Sequence, residues 1–315
     1  MIDFPNLKDV DDYSKVLKLA NNPKYSAERK YDGTACMVDI FCDGRDPILY
    51  GRGILKNGSQ QIYNTNFPEI VEYFSQHSFR RVRLLGELVC FNCQEIEKFS
   101  NIQPRVTRKY GIEELTKKSP ATFMAFDILI LDEYSIETEP YSARRELLSA
   151  VVEDYFPVND RFKVVPVFYT QENKQDLLLE LQEKKFEGVV FKNRNVPFMA
   201  WKYKPTITED VIWFGEYNEG TGRNEGMIGS MVCYQYVKGI LTEIANVGGL
   251  TDDTRAHFTK LSKGGKVSRD VPLVLEVEAM SRGEVTKKGK IGKLRHPRYS
   301  RIRTDKSASQ CIRRD

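Results

Sequence analysis

Glu28-Arg29-Lys30-Tyr31-Asp32-Gly33 places one lysine between a nearby acid and a tight Asp-Gly turn. Tyr25–Lys30 reads as a strand, and so does Ala35–Phe41, whose Cys36, Val38 and Ile40 alternate with smaller or polar residues. Far along the chain stands a basic cluster, Arg295-His296-Pro297-Arg298-Tyr299-Ser300-Arg301-Ile302-Arg303-Thr304-Asp305-Lys306. Protonated lysine is a poor nucleophile, with an ordinary pKa of about 10.4, but nearby cations or a bound metal lower that value. A nucleophilic lysine with a remote set of phosphate-binding cations implies transfer of a nucleoside monophosphate through a covalent lysyl intermediate.

At 315 residues the chain is expected to form two domains, 1–205 and 206–315, with Pro205 after Lys204 at the boundary. A hydrophobic content of 41% and a charged content of 29% fit an ordinary soluble globular protein. The net charge of +4 is unevenly placed: residues 206–315 hold 19 Lys/Arg against 14 Asp/Glu, leaving 29 against 30 for residues 1–205. Within 282–306 ten basic residues meet two acidic ones, which suits phosphates or a nucleic-acid backbone, or else a solvated charged face. The start, Met1-Ile2-Asp3-Phe4-Pro5-Asn6, does not read as a secretory signal, and no apolar run reaches membrane-spanning length. Six thinly spread cysteines fit reduced thiols in a cytoplasmic protein, or in host cytoplasm if the source is viral. Cys90-x-x-Cys93 has no second pair at zinc spacing, so no zinc site is expected.

A short helix is expected from Asp11 to Leu19, and others from Pro68 to Phe74, over Tyr141–Val152 and over Gln171–Lys185. Strands are expected at Arg83–Phe91, Thr122–Leu131, Phe186–Lys192 and Met199–Lys204. This is an α+β domain with antiparallel sheets around a cleft. Beyond Pro205, strands at Asp210–Tyr217, Gly229–Val237, Ile240–Val247 and Leu273–Ala279 and a helix at Thr254–Leu261 suit a small all-β barrel of the OB type. Gly220-Thr221-Gly222-Arg223-Asn224-Glu225-Gly226 reads as a hairpin turn rather than a phosphate loop.

Glu87 and Glu187 each stand within an apolar strand, where a carboxylate must be paired, protonated or metal-bound. The adjoining Gly86 and Gly188 let a ligand approach the backbone, so both are candidate Mg²⁺ ligands, with an ordinary salt bridge as the alternative. Lys202 and Lys204 alternate on a strand and share a face. Facing a cleft they would depress the pKa of Lys30 and neutralise a phosphate; facing outward they would be an exposed edge. Phe126 is placed to stack on a purine ring or to fill the core. Arg144 and Arg145, at a helix start, read as structural.

Taken in order, Lys30-Tyr31-Asp32-Gly33, Gly86-Glu87-Leu88, Phe126-Asp127-Ile128-Leu129, Glu187-Gly188-Val189-Val190, Lys202-Tyr203-Lys204 and the Arg295–Lys306 cluster resemble successive motifs of the covalent nucleotidyltransferases. The closest resemblance is to ATP-dependent DNA ligases. Tyr50-Gly51-Arg52-Gly53 and Asn66-Phe67-Pro68 are similar to the segment between the first two of these motifs, and the match runs from about residue 25 to 306. The resemblance implies a nucleotidyltransferase (adenylation) domain at 1–205, an OB-fold domain at 206–315 and a hinge at Pro205 to Ile207. It makes Lys30 the adenylated nucleophile, aided by Lys202 and Lys204. It has Glu28 read the adenine amino group, Phe126 stack on the base, and Arg52 contact the nucleotide or the nick phosphate. Glu87 would bind ribose or metal, Glu187 metal, and Arg298, Arg303, Asp305 and Lys306 the departing pyrophosphate. ATP and Mg²⁺ are the implied cofactors, and nicked double-stranded DNA the implied partner of a monomeric enzyme. Ala35 departs from the family, which often carries there an arginine that holds the ribose. About 24 residues precede the first expected strand, so the family's optional N-terminal DNA-binding domain is not expected.

The function expected is that of a minimal ATP-dependent DNA ligase, sealing nicks through lysyl-AMP and then a DNA-adenylate. An RNA-capping guanylyltransferase uses the same lysine logic, and a catalytically silent nucleic-acid-binding protein could keep the same fold. Glu28 and the Arg-His-Pro-Arg-Tyr run favour the ligase over the first, and the full set of charged motif residues argues against the second.

Overall fold

Tyr25–Lys30 becomes part of a five-stranded sheet with the spatial order Lys8–Asp9, Ala200–Tyr203, Gly188–Asn193, Tyr25–Lys30 and Val167–Phe168. The structure is a computed structural model that describes residues 4–10, 12–77, 81–92, 97, 99–184, 186–283 and 291–313. Cys93, Asp11 and the 284–290 part of the basic segment lie outside the described residues. The chain divides into two units, Met1–Lys204 and Pro205–Asp315.

In the first unit one face of that sheet is apolar because the register brings Ala27, Val189 and Phe191 to the same side. Against it pack Val16, Leu19 and Ala20 of the helix Tyr13–Asn21 and Leu177, Leu178 and Leu181 of the helix Gln171–Lys184. Asp12 caps the first of these helices by accepting from the Ser14 N–H at 2.9 Å. A second sheet runs Gln60–Ile62, Ile48–Ile54, Thr34–Ile40, Val82–Val89, Thr122–Leu131 and Tyr134–Ser135, with Phe162–Val164 parallel to Thr122–Leu131. Its back carries the larger core, where Val38, Leu84, Phe123 and Ile128 meet Ile70 and Phe74 of the helix Pro68–Ser75 and Leu148 and Val151 of the helix Tyr141–Tyr155. Phe74 lies edge-on to Phe123 and Phe162 with centroids 5.8 and 5.5 Å apart.

Gly33 ends the link between the two sheets. A Cβ there would sit 2.2 Å from the Leu88 carbonyl oxygen, so only glycine lets the turn lie against the Val82–Val89 strand. Gly33→Ala is expected to cost about 1–3 kcal/mol by overpacking a backbone atom. A lowered midpoint in thermal denaturation is the check.

Pro205–Asp315 contains an antiparallel sheet in the order Ile240–Val247, Ile228–Val237, Ile207–Glu219, Leu273–Ala279 and Arg298–Ile302, with the α-helix Asp252–Lys263. The Thr251 side chain caps that helix, and Phe258 on its inner face meets Trp213 edge-on at 5.3 Å. Gly215, at φ +88°, lies where pairing between Ile207–Glu219 and Ile228–Val237 shifts register. The Gly220–Gly226 stretch connects these two strands, as expected of a hairpin turn.

The α+β reading of the first unit holds, with adjustments. Gly188–Asn193 starts after Glu187, which stands just outside the strand expected to contain it. Helices at Phe99–Thr107 and Ile112–Lys118 and strands at Ile48–Ile54 and Arg298–Ile302 are additions to the sequence reading. Pro104 inside the first of these helices masks its helical pattern. The described cysteines are free, and among the described residues no helix is long and apolar enough to cross a membrane.

Candidate active site

Residues directly opposite in an antiparallel sheet share a face. Lys30 pairs with Gly188 and Glu28 with Val190, which pairs in turn with Lys202; Lys192 pairs with Ala200. Glu28, Lys30, Lys192 and Lys202 therefore lie on the face opposite the apolar one. On the second sheet Ala35 pairs with Glu87 and Met37 with Leu85. These faces contribute to a cavity of about 360 Å³ within the first unit, lined among others by Lys30, Ala35, Arg52, Glu87, Phe126, Tyr141, Arg144, Lys192, Phe198, Lys202 and Lys204. Six cations line it against two carboxylates, Glu87 and Asp127, so it suits a polyanionic ligand.

Glu187 joins two of those cations. Its Oε2 accepts from Lys30 Nζ at 2.6 Å, and its Oε1 lies 2.6 Å from Lys204 Nζ. Lys202 pairs with Asp9 at 3.3 Å. Burial alone would lower the pKa of Lys30, but Glu187, Glu87 and Asp32 outweigh it and hold the value above that of ordinary lysine. The expected depression of Lys30 by Lys202 and Lys204 is thus not what the protein's own groups produce, because carboxylates crowd the amine more closely. Burial pushes Glu87 up to about 7; Lys30 and Arg52 oppose the rise, while Glu187 and Asp32 add to it.

At the other end Glu28, 3% exposed, is held on both oxygens. The Tyr141 hydroxyl donates to Oε1, and Lys192 Nζ lies 2.8 Å from Oε2. Lys192 also donates to the Phe126 carbonyl at 3.2 Å and stands 4.7 Å from the ring centroids of both Phe126 and Tyr141. Arg144 grips Asp127 through two hydrogen bonds of 2.8 and 2.7 Å, both side chains buried, in keeping with its structural reading. Arg52 donates to the Pro5 carbonyl at 3.1 Å.

The structure thus brings Lys30, Arg52, Glu87, Phe126, Lys202 and Lys204 around one cavity, with Glu28 and Glu187 each bonded to cations that line it. Arg298, Arg303, Asp305 and Lys306 belong to the second unit. There Arg303 reaches Asp210 at 2.9 Å, Glu276 at 3.3 Å and Asp305 at 2.8 Å, Lys306 pairs with Asp210, and Arg298 is exposed. Sequence reasoning missed Tyr141, Lys192 and Phe198. Lys192 could have been found, since it continues the alternation Gly188, Val190, Lys192. Tyr141 carries no such signal.

Among the described residues no group of three or more His, Cys, Asp or Glu is assembled to hold a metal ion. Glu87 nevertheless interacts electrostatically with Glu187 and with Asp32, and all three carboxylates act on Lys30. That donor set fits a hard divalent cation completed by ligand phosphate oxygens and water rather than by a protein cage.

Two sheets enclose a cationic cavity suited to a polyanionic ligand, and a lysine held by a carboxylate at a strand end lines it. The model of the ATP dependent DNA ligase domain matches residues 5–207, and the chain belongs to that family. A DNA ligase of Thermococcus fumicolans is 30% identical over 305 residues, covering 90% of this chain and 52% of the relative. The chain spans about half the length of the curated relatives it matches. A solved structure named Pmar-Lig_PreS3 superposes with a TM-score of 0.70 at 21% identity, covering 95% of this chain and 67% of its own. A structure from a study of Lig E DNA ligases reaches 0.61 at 18% identity, covering 96% and 100%. Both share the fold.

Proposed function

We propose that this chain is an ATP-dependent DNA ligase that seals nicks in duplex DNA through a lysyl-AMP intermediate. The observation that carries the reading is Lys30: its amine reaches a cavity with an excess of cations and is fixed by Glu187, which also binds Lys204. Lys30 Nζ would attack the α-phosphate of ATP, forming a phosphorus–nitrogen bond as pyrophosphate leaves. Its proton has a ready acceptor in Glu187 at 2.6 Å. Lys202 and Lys204 would neutralise charge on the phosphate oxygens, Phe126 would stack on the base and Arg52 would contact phosphate. Mg²⁺, held by Glu87 and Glu187 with phosphate oxygens, would add Lewis-acid neutralisation. The 5′-phosphate at a nick then takes the AMP, and the 3′-hydroxyl displaces it to join the strand.

We read Pro205–Asp315 as an OB-fold domain, supported by the five strands and one α-helix among its described residues, with Arg298, Arg303, Asp305 and Lys306 acting on pyrophosphate. Lys306→Ala is expected to slow adenylation by about 10-fold or more while sparing the sealing of pre-adenylated nicks. Equal loss in both assays would remove that role.

The test of the function is a gel assay with nicked DNA and ATP beside a nicked RNA–DNA hybrid. Sealing of the DNA nick with transient AMP on the protein is expected. Failure to acquire AMP from ATP under any divalent-metal condition would defeat the proposal.

A further inference from the structure

Glu28 is the residue expected to read the base, yet it does not line the cavity and its two oxygens are already engaged. The groups that do line the cavity at that place are its two partners, Tyr141 and Lys192. A tyrosine hydroxyl has one proton and two lone pairs. Here the proton is given to Glu28, which leaves the oxygen able only to accept. Burial and the adjacent Glu28 carboxylate hold the Tyr141 pKa well above the ordinary value, so the hydroxyl keeps that proton at working pH. Lys192, committed to Glu28 and the Phe126 carbonyl, retains one N–H of its three.

Resting on the nucleotidyl-transfer reading above, we propose that Tyr141 is the specificity-determining residue of the base pocket, its hydroxyl fixed by Glu28 as an acceptor for an amino group at purine C6. Adenine carries that donor. Guanine and hypoxanthine carry a carbonyl oxygen at C6, which would face the Tyr141 oxygen lone pair to lone pair, with neither able to donate. A buried acceptor left without its donor is what gives such a site its discrimination. Lys192, beside Tyr141, is placed to donate to a ring nitrogen next to the amino group. Glu28 then acts through Tyr141, by setting the direction of its proton. The backbone of Tyr141 is firmly anchored, because it begins the helix Tyr141–Tyr155 and Arg144, one turn on, locks that helix to Asp127, next to Phe126.

The experiment compares covalent labelling of the full chain by the α-labelled triphosphates of adenosine, inosine and 2,6-diaminopurine riboside. Inosine differs from adenosine in the pairing edge at C6, and diaminopurine restores the amino group there. The wild-type protein is expected to prefer adenosine and diaminopurine over inosine. Tyr141→Phe, which keeps the ring, is expected to narrow the adenosine-to-inosine ratio roughly tenfold or more. A merely structural hydroxyl would lower labelling by all three in parallel, and an unchanged ratio in a labelled variant would overturn the inference. So would a wild-type protein labelled equally by adenosine and inosine nucleotides, a result that requires no variant to fold. If no nucleotide labels the wild-type protein, the nucleotidyl-transfer reading fails and takes this inference with it; labelling without C6 preference sinks the inference alone.

Discussion

Lys30→Ala should abolish covalent labelling by α-labelled ATP, with a loss of at least about 10³-fold in adduct formation. In the proposed reaction Lys30 supplies the attacking electron pair, and neighbouring amines would not replace it. Lys202 and Lys204 are tied to Asp9 and Glu187, and the register places Lys202 two strands away from the Tyr25–Lys30 end. The same substitution should lower the melting temperature less than Arg105→Ala does, because Glu187 keeps Lys204 as a partner when the Lys30 amine is lost. Lys30→Arg should also fail, since guanidinium holds its proton too firmly to attack. Intact-protein mass after incubation with ATP and Mg²⁺ reads both variants. An AMP adduct on Lys30→Ala at the wild-type rate would remove Lys30 from its role.

Arg105→Ala should destabilise the first unit by about 3–5 kcal/mol, the largest stability effect expected of any substitution considered. Arg105 is fully buried and makes a two-pronged ion pair with Glu69, whose side chain is 7% exposed. It also donates to the Asn66 and Ser119 carbonyls at 2.5 and 3.2 Å and lies 4.7 Å over the Phe67 ring. Removing it strands the Glu69 carboxylate in the core with the Ala121 N–H at 2.9 Å as a remaining partner. The double variant Arg105→Met with Glu69→Leu should recover much of the loss, because it removes both charges instead of orphaning one. Thermal denaturation of the three proteins is the measurement. A double variant no more stable than Arg105→Ala would show that the pair does not act as a unit.

The Arg105 network also shows how a sequence signal can be right about place and silent about cause. Asn66-Phe67-Pro68 stands out in the sequence by resemblance and by the helix start at Pro68. In the fold Phe67 is fully buried, Pro68 opens a helix, and the Asn66 amide donates to the Arg105 and Arg108 carbonyls at 2.7 and 3.0 Å. The segment anchors the helix Phe99–Thr107, which Pro104 conceals from a reading by period. Glu187 is legible as a carboxylate requiring a partner, and it has two. That the partners are Lys30 and Lys204 together is not legible, and this shared carboxylate is why Lys30 is raised rather than lowered.

Read alone, the chain established the strand that ends in Lys30, the alternation that puts Lys202 and Lys204 on one face, the alternation of the other strands and the tight turn at Asp32-Gly33. These follow from a side-chain period of two and from backbone sterics, which act over a few residues. Tertiary structure alone decided what each charge meets. Tyr141 reaches Glu28 across 113 positions and Glu187 reaches Lys30 across 157. Such pairings depend on how two sheets and a helix close around a cavity, and no local pattern encodes the distance between side chains so far apart along the backbone.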